Sequence, residues 1–214
     1  MRSEEEQAEI LKEWWEKNGR TLIITVVLSV VALLGWRQWN ISQDASAENA
    51  SVIYENMLGS LERAGAGEDT DAMAAAREQA EKLADEYPRS SYAGYARLAL
   101  ARLAVMDGDY EAAAEQLRAV VDRSPTRALE YTARLRLARV LLQSGDTDAA
   151  LAQAERQYPE AWRAQALEVK GDALRQDEPA AARDAYRAAL DAMPAGQSGR
   201  DRVQMKLDDM MSAS

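Results

Sequence analysis

Charged residues recur every few positions along most of this chain, and in one place they stop. Between Arg20 and Arg37 the run Thr21 to Trp36, TLIITVVLSVVALLGW, is 16 residues without a charge. As a helix rising about 1.5 Å per residue it reaches roughly 24 Å, somewhat short of a hydrocarbon core of ~30 Å. Arg20 and Arg37 can snorkel toward water, and the apolar length extends through Trp39, which closes the difference. β-Branched residues crowd Ile23 to Val31 with no polar face between them, which argues against the buried helix of a soluble core. The pattern predicts a single transmembrane helix over residues 21–39.

The flanks set its anchors and direction. Trp14, Trp15, Trp36 and Trp39 bracket the run with Arg37, where amphipathic side chains favour the membrane–water interfaces. Lys12, Lys17 and Arg20 precede it, and the next basic residue after Arg37 is Arg63. The positive-inside rule then keeps residues 1–20, an acidic tail, in the cytoplasm and exports everything after about residue 40. A cleaved signal peptide is the rival: Ala45-Ser46-Ala47 has the A-x-A form, although it lies well beyond the apolar run, with Trp36, Arg37 and Trp39 between. In the tail, Ile10, Leu11, Trp14 and Trp15 fall at helical spacing and continue the membrane helix. Within the span, Thr25, Ser29 and Ala32 fall at i, i+4 and i+7, a small-residue face that another membrane helix can approach.

Beyond a juxtamembrane segment at residues 40–54 the pattern becomes periodic. Prolines at 88, 125, 159 and 194 are 37, 34 and 35 residues apart, and an alanine-opened helical segment lies upstream of each. The clearest unit runs Tyr95-Ala96-Arg97-Leu98-Ala99-Leu100, turns at Asp107-Gly108-Asp109, continues Tyr110-Glu111-Ala112-Ala113, and closes at Pro125. A second copy carries Leu135, Leu137, Ala138, Val140 and Leu141 before Gly145-Asp146. Glycine tolerates positive φ and aspartate caps the next helix, so Gly-Asp stops one helix and starts an antiparallel one. Alanines let the two backbones approach, Leu and Val fill the groove between hairpins, and proline ends the unit. One hairpin cannot bury its apolar face alone, so the period implies a stack.

The copies are not uniform. The first has a loose turn at Gly65-Ala66-Gly67-Glu68-Asp69, the third a short second helix because Pro159 arrives early, and the fourth replaces Gly-Asp with Asp177-Glu178-Pro179. Three or four hairpins therefore fill residues 55–196. Residues 197–214 form a capping helix, with Val203, Leu207, Met210 and Met211 on one side. The fold class is all-α: an N-terminal membrane helix followed by an α-solenoid.

Composition narrows the chemistry. With no Cys and no His, thiol nucleophiles, zinc knuckles and the usual general base are missing. A net charge of −10 has the wrong sign for nucleic acid. Roughly a fifth of the chain is Ala, in keeping with nearly all helix. The carboxylate pairs Asp107/Asp109, Asp69/Asp71 and Asp208/Asp209 sit in turns or on a solvated helix, where caps and solubility explain them. The sequons at Asn40 and Asn49 match a pattern common by chance. The residues point to a non-enzymatic adaptor with no cofactor and no metal.

The signature Gly108 to Ala114, GDYEAAA, with Pro125 closing, resembles the second helix of a tetratricopeptide repeat. Ala182, Tyr186, Ala189 and Pro194 fit it again. The wider layout, with Glu16-Lys17-Asn18-Gly19-Arg20 before the span and Gly35-Trp36-Arg37-Gln38-Trp39-Asn40 after it, resembles the YfgM family of bacterial inner-membrane proteins. The resemblance implies an ancillary subunit of the SecYEG translocon, acting beside the periplasmic chaperone PpiD on exported client proteins. It also leaves two alternatives: a stress-response regulator that sequesters a transcription factor through the cytoplasmic tail, and an envelope-assembly scaffold.

Stacked hairpins commonly present their first helices to a partner. Equivalent first-helix positions 37 apart hold Arg102 and Arg139, Leu98 and Leu135, and Met106 and Gln143, with Tyr95 as an aromatic wall. Two guanidinium groups one repeat apart suit a carboxylate or an acidic segment. The plainer alternatives are that both arginines solvate a helix face and that both leucines belong to the core.

Overall fold

The computed structural model describes residues 4–65, 69–194 and 196–212, with side chains described for all of these except 4–11, 13 and 39–45. Among the described residues there are nine α-helices and no strand. They are α1 (Glu4–Gly65), α2 (Thr70–Glu86), α3 (Ala93–Met106), α4 (Tyr110–Arg123), α5 (Arg127–Gln143), α6 (Thr147–Ala154), α7 (Glu160–Leu174), α8 (Pro179–Ala192) and α9 (Arg200–Ser212). The chain divides into two compact units after Asn49.

In the first unit, the segment Trp14–Gln38 of α1 is long and apolar enough to cross a membrane. Its aliphatic side chains stand exposed along the helix, as do Trp14, Trp15 and Trp36. Isolated hydroxyls in such a segment need partners, and they find them one turn back. Thr25 Oγ1 donates to the Thr21 carbonyl at 2.9 Å and Ser29 Oγ to the Thr25 carbonyl at 2.8 Å.

The second unit is a stack of helical hairpins. Each Gly-Asp turn works as the sequence predicts. Gly108 and Gly145 adopt φ of 78° and 86°. The Asp109 amide donates to the Ala104 carbonyl at 2.9 Å and the Gly108 amide to Val105 at 3.1 Å, a Schellman pair that Asp146 and Gly145 repeat on Leu141 and Leu142. The same aspartates then accept from Ala112 and Ala149 amides at 2.9 and 3.2 Å, so one residue closes a helix and opens the next. The fourth hairpin lacks this device and places Pro179 at the first turn of α8, where a missing N–H costs nothing. Early arrival of Pro159 leaves α6 only eight residues long. In the first hairpin, whose turn residues 66–68 lie outside the described residues, Asp69 caps α2 through the Ala72 amide at 2.9 Å.

Alanine at the crossings is what lets the helices close. Ala96, Ala113, Ala133 and Ala182 are fully buried, and Leu98, Leu117, Leu129 and Leu137 fill the space between α3, α4 and α5. A satellite core joins Ala50, Ile53 and Met57 of α1 to α2 and α3. At the other end, Tyr186 packs with Leu190, Val203, Leu207 and Met210. Helix α9 caps this core through Val203, Leu207 and Met210. Met211, expected on the same side, is 59% exposed, because a residue one position past Met210 is turned about 100° from it.

Candidate functional site

A groove of about 380 Å³ runs over the first helices of three successive hairpins. Tyr54, Leu58 and Leu61 come from α1, Tyr95, Leu98 and Arg102 from α3, and Leu129, Thr132 and Arg136 from α5. Direct packing of α3 against α5 brings these helices side by side. At one end the wall is aromatic: Tyr54 stacks on Tyr92 with centroids 4.8 Å apart and tilts against Tyr95 at 5.9 Å. Burial first, then the neighbouring Tyr95 and Tyr92, raise the Tyr54 phenol above its ordinary value. Tyr95 itself is 45% exposed.

At the other end the groove is cationic. Arg102 and Arg136 line it, and the ionisation of Arg136 is pushed down by partial desolvation within the concavity, then by Arg139, then by Arg102. Arg102 and Arg139 thus each lie within electrostatic reach of Arg136. None of them has an ion pair or hydrogen bond among the described residues, whereas Arg97 donates to Gln116 at 3.0 Å and Arg134 pairs with Glu130 at 2.6 Å.

The expected contact residues separate into three groups. Tyr95, Leu98 and Arg102 share the groove. Arg139 and Gln143 line a neighbouring concavity with Thr147, Asp172 and Arg175, so the expected pair Arg102 and Arg139 is bridged by Arg136 rather than facing one cavity. Met106 is exposed at the last residue of α3, outside the groove that Tyr95 lines. Of the two leucines, Leu135 needs correction as a contact residue. Leu135 is 1% exposed and belongs to the core, whereas Leu98, 8% exposed, both packs into the α3–α4–α5 cluster and lines the groove. A first helix meets both its own hairpin partner and the next hairpin, so most of its apolar positions are used in packing.

In the first unit Trp14, Trp15, Trp36 and Arg37 are exposed along α1, and the Trp39 side chain lies outside the described residues. Thr25, Ser29 and Ala32 share one exposed helix face. Among the described residues no three potential metal ligands gather.

Sequence reasoning missed the ion cluster beneath α9. Glu168 is 2% exposed, and Arg202 grips both its carboxylate oxygens at 2.8 Å. Lys206 donates to Glu168 at 2.8 Å and to Asp172 at 2.8 Å, and Asp172 also accepts from the Tyr186 hydroxyl at 2.9 Å. Burial alone would raise the Glu168 carboxyl; the hydrogen bonds from Arg202 and Lys206 outweigh it and hold it down to about 2. Burial and then Asp172 push the Tyr186 phenol up. Nothing in the sequence around Glu168 marks it, because its partners lie 34 and 38 residues away.

A model of the tetratricopeptide repeat-like domain matches residues 12–212. Three curated relatives share the description "Ancillary SecYEG translocon subunit". The Escherichia coli protein is 35% identical over 109 residues, 51% of this chain and 48% of its own. The Haemophilus influenzae protein is 31% identical over 109 residues, 51% of this chain and 50% of its own. The Aggregatibacter actinomycetemcomitans protein is 29% identical over 107 residues, 50% of this chain and 48% of its own. The chain spans about half the length of the curated relatives it matches.

Proposed function

The chain belongs to the tetratricopeptide repeat-like domain family, and from that premise we propose that it is a non-enzymatic adaptor of the bacterial inner membrane. Trp14–Gln38 is its single membrane span, residues before it stay in the cytoplasm, and the hairpin stack stands in the periplasm. Lys12, Lys17 and Arg20 before the span, with no Lys or Arg between Arg37 and Arg63, support this direction. Its setting is the SecYEG translocon, where it acts beside the PpiD chaperone on proteins leaving the channel. The descriptions of the relatives support the translocon setting.

The observation that carries the adaptor reading is the groove itself. Exposed Tyr95, with Arg102 and Arg136, which have no ion pair among the described residues, occupies first-helix positions of consecutive hairpins, where a stack holds a partner segment. Photocrosslinking from position 95 or 102 in intact membranes, read by mass spectrometry, tests it. Adducts to translocon subunits or to a membrane-anchored periplasmic chaperone are expected from these positions and not from Arg118 on α4. Adducts equally abundant from position 118, or none from the groove, would overturn it. Protease added to spheroplasts is expected to digest the hairpin stack; protection there with cleavage after lysis would reverse the orientation.

A further inference from the structure

We propose that the groove selects its partner by negative charge, taking an acidic segment with apolar anchors, and that Arg136 is the residue that reads the charge. This rests on the groove being the docking surface and adds the chemistry of what docks.

The argument begins with a contrast in charge. The chain carries 36 acidic and 26 basic residues, so a randomly composed patch is acidic. Among the described residues the groove lining contains no Asp or Glu, and its charged residues are Arg102 and Arg136. Arg139 adds a third positive charge within reach of Arg136. Elsewhere in the stack some cations are matched, Arg77 with Asp107, Arg134 with Glu130, Lys170 with Glu155 and Arg202 with Glu168, while exposed Arg89, Arg118 and Arg123 have no match among the described residues, so what marks the groove is its carboxylate-free lining. Among the described residues Arg102, Arg136 and Arg139 have no such match. Two like charges in one concavity, with Arg139 close by, repel one another, and carboxylates entering it relieve that repulsion while gaining charge-assisted hydrogen bonds. A guanidinium also offers a fork that one carboxylate fills.

The opposite end supplies affinity without charge. Tyr54, Leu58, Leu61 and Tyr95 form an apolar and aromatic wall beside the arginines. A volume of about 380 Å³ admits a few side chains of a segment rather than a folded domain. A nucleic acid fits less well, because a long polyanion meets the net charge of −10 outside the groove.

The experiment uses the full chain in phosphatidylcholine nanodiscs. Fluorescence anisotropy reads the binding of a short labelled peptide of alternating Leu and Glu blocks and of its twin with every Glu replaced by Gln. The acidic peptide is expected to bind at least about tenfold tighter than the twin, with the difference shrinking in high salt. Arg136→Gln is expected to remove about tenfold of the acidic peptide's affinity and leave the twin unchanged, Arg136→Lys to restore part of it, and Arg118→Gln to do nothing. Equal binding of both peptides, or no effect of Arg136→Gln, would overturn charge selection. Tyr95→Ala still weakening both peptides in that case would leave the docking groove standing. Binding of neither peptide, or equal competition by a short thymidine oligonucleotide, would overturn this inference, and the first of these would remove the docking groove as well.

Discussion

Gly108 and Gly145 hold φ of 78° and 86° at the turns of the second and third hairpins, with open space where a Cβ would lie. A side chain there meets no neighbour; the penalty is purely that of the left-handed backbone. Gly108→Ala is therefore expected to cost about 1–2 kcal/mol in urea unfolding. Gly171 poses the opposite problem: a Cβ on it would stand 2.5 Å from Cε1 of Tyr186, a fully buried ring. Gly171→Ala forces that ring to move and is expected to cost about 1–3 kcal/mol. If Gly171→Ala melts like the parent, α7 and α8 do not pack as closely as described. The turn glycines were legible from sequence because their requirement is local. Gly171 was not, because only the packing of α8 shows what it must avoid.

At the scale of elements, α9 joins the stack by two unlike devices. Val203, Leu207 and Met210 enter the core, which a helical period reveals. Arg202 and Lys206 reach down to Glu168 and Asp172, which no period reveals, since a charged residue within a helix reads as surface. Replacing Arg202 and Lys206 together by Met leaves a buried carboxylate unpaired and is expected to cost about 3–5 kcal/mol in urea unfolding. Adding Glu168→Gln should restore much of that loss, whereas a strictly additive triple variant would deny the cluster. The pH dependence follows from the carboxyl held down at about 2. Its contribution is fully present above the ordinary carboxylate value and is lost as pH falls from about 4.5 toward 2. Urea midpoints are expected to decline through that window, and Glu168→Gln should flatten this part of the curve.

At the scale of the whole molecule, a segment long and apolar enough to cross a membrane and a hairpin stack share one chain but suit different solvents. The segment Trp14–Gln38 exposes its aliphatic side chains, an arrangement that water penalises and lipid accepts. A charge at its middle opposes insertion: Leu28→Arg is expected to cost about 2.5–3.5 kcal/mol and to lower the fraction resisting carbonate extraction from membranes. Full retention of that variant in the membrane would argue against Trp14–Gln38 as the anchor. The stack, in contrast, buries its leucines between hairpins and, among the described residues, keeps its charges outward apart from Glu168.

Local chemistry alone determined the apolar segment, the hairpin period, the Gly-Asp turns and the short α6, since each depends on residues within a few positions of one another. Tertiary structure decided what depends on distance across repeats. It buried Leu135, which has the same repeat position as Leu98, and paired Glu168 with residues of α9. It also set Arg136 near Arg102 and Arg139, and lined the groove that Arg102 and Arg136 share with no carboxylate among the described residues. A sequence records which cations exist; only the packing of α3 against α5 settles which of them come to share a groove.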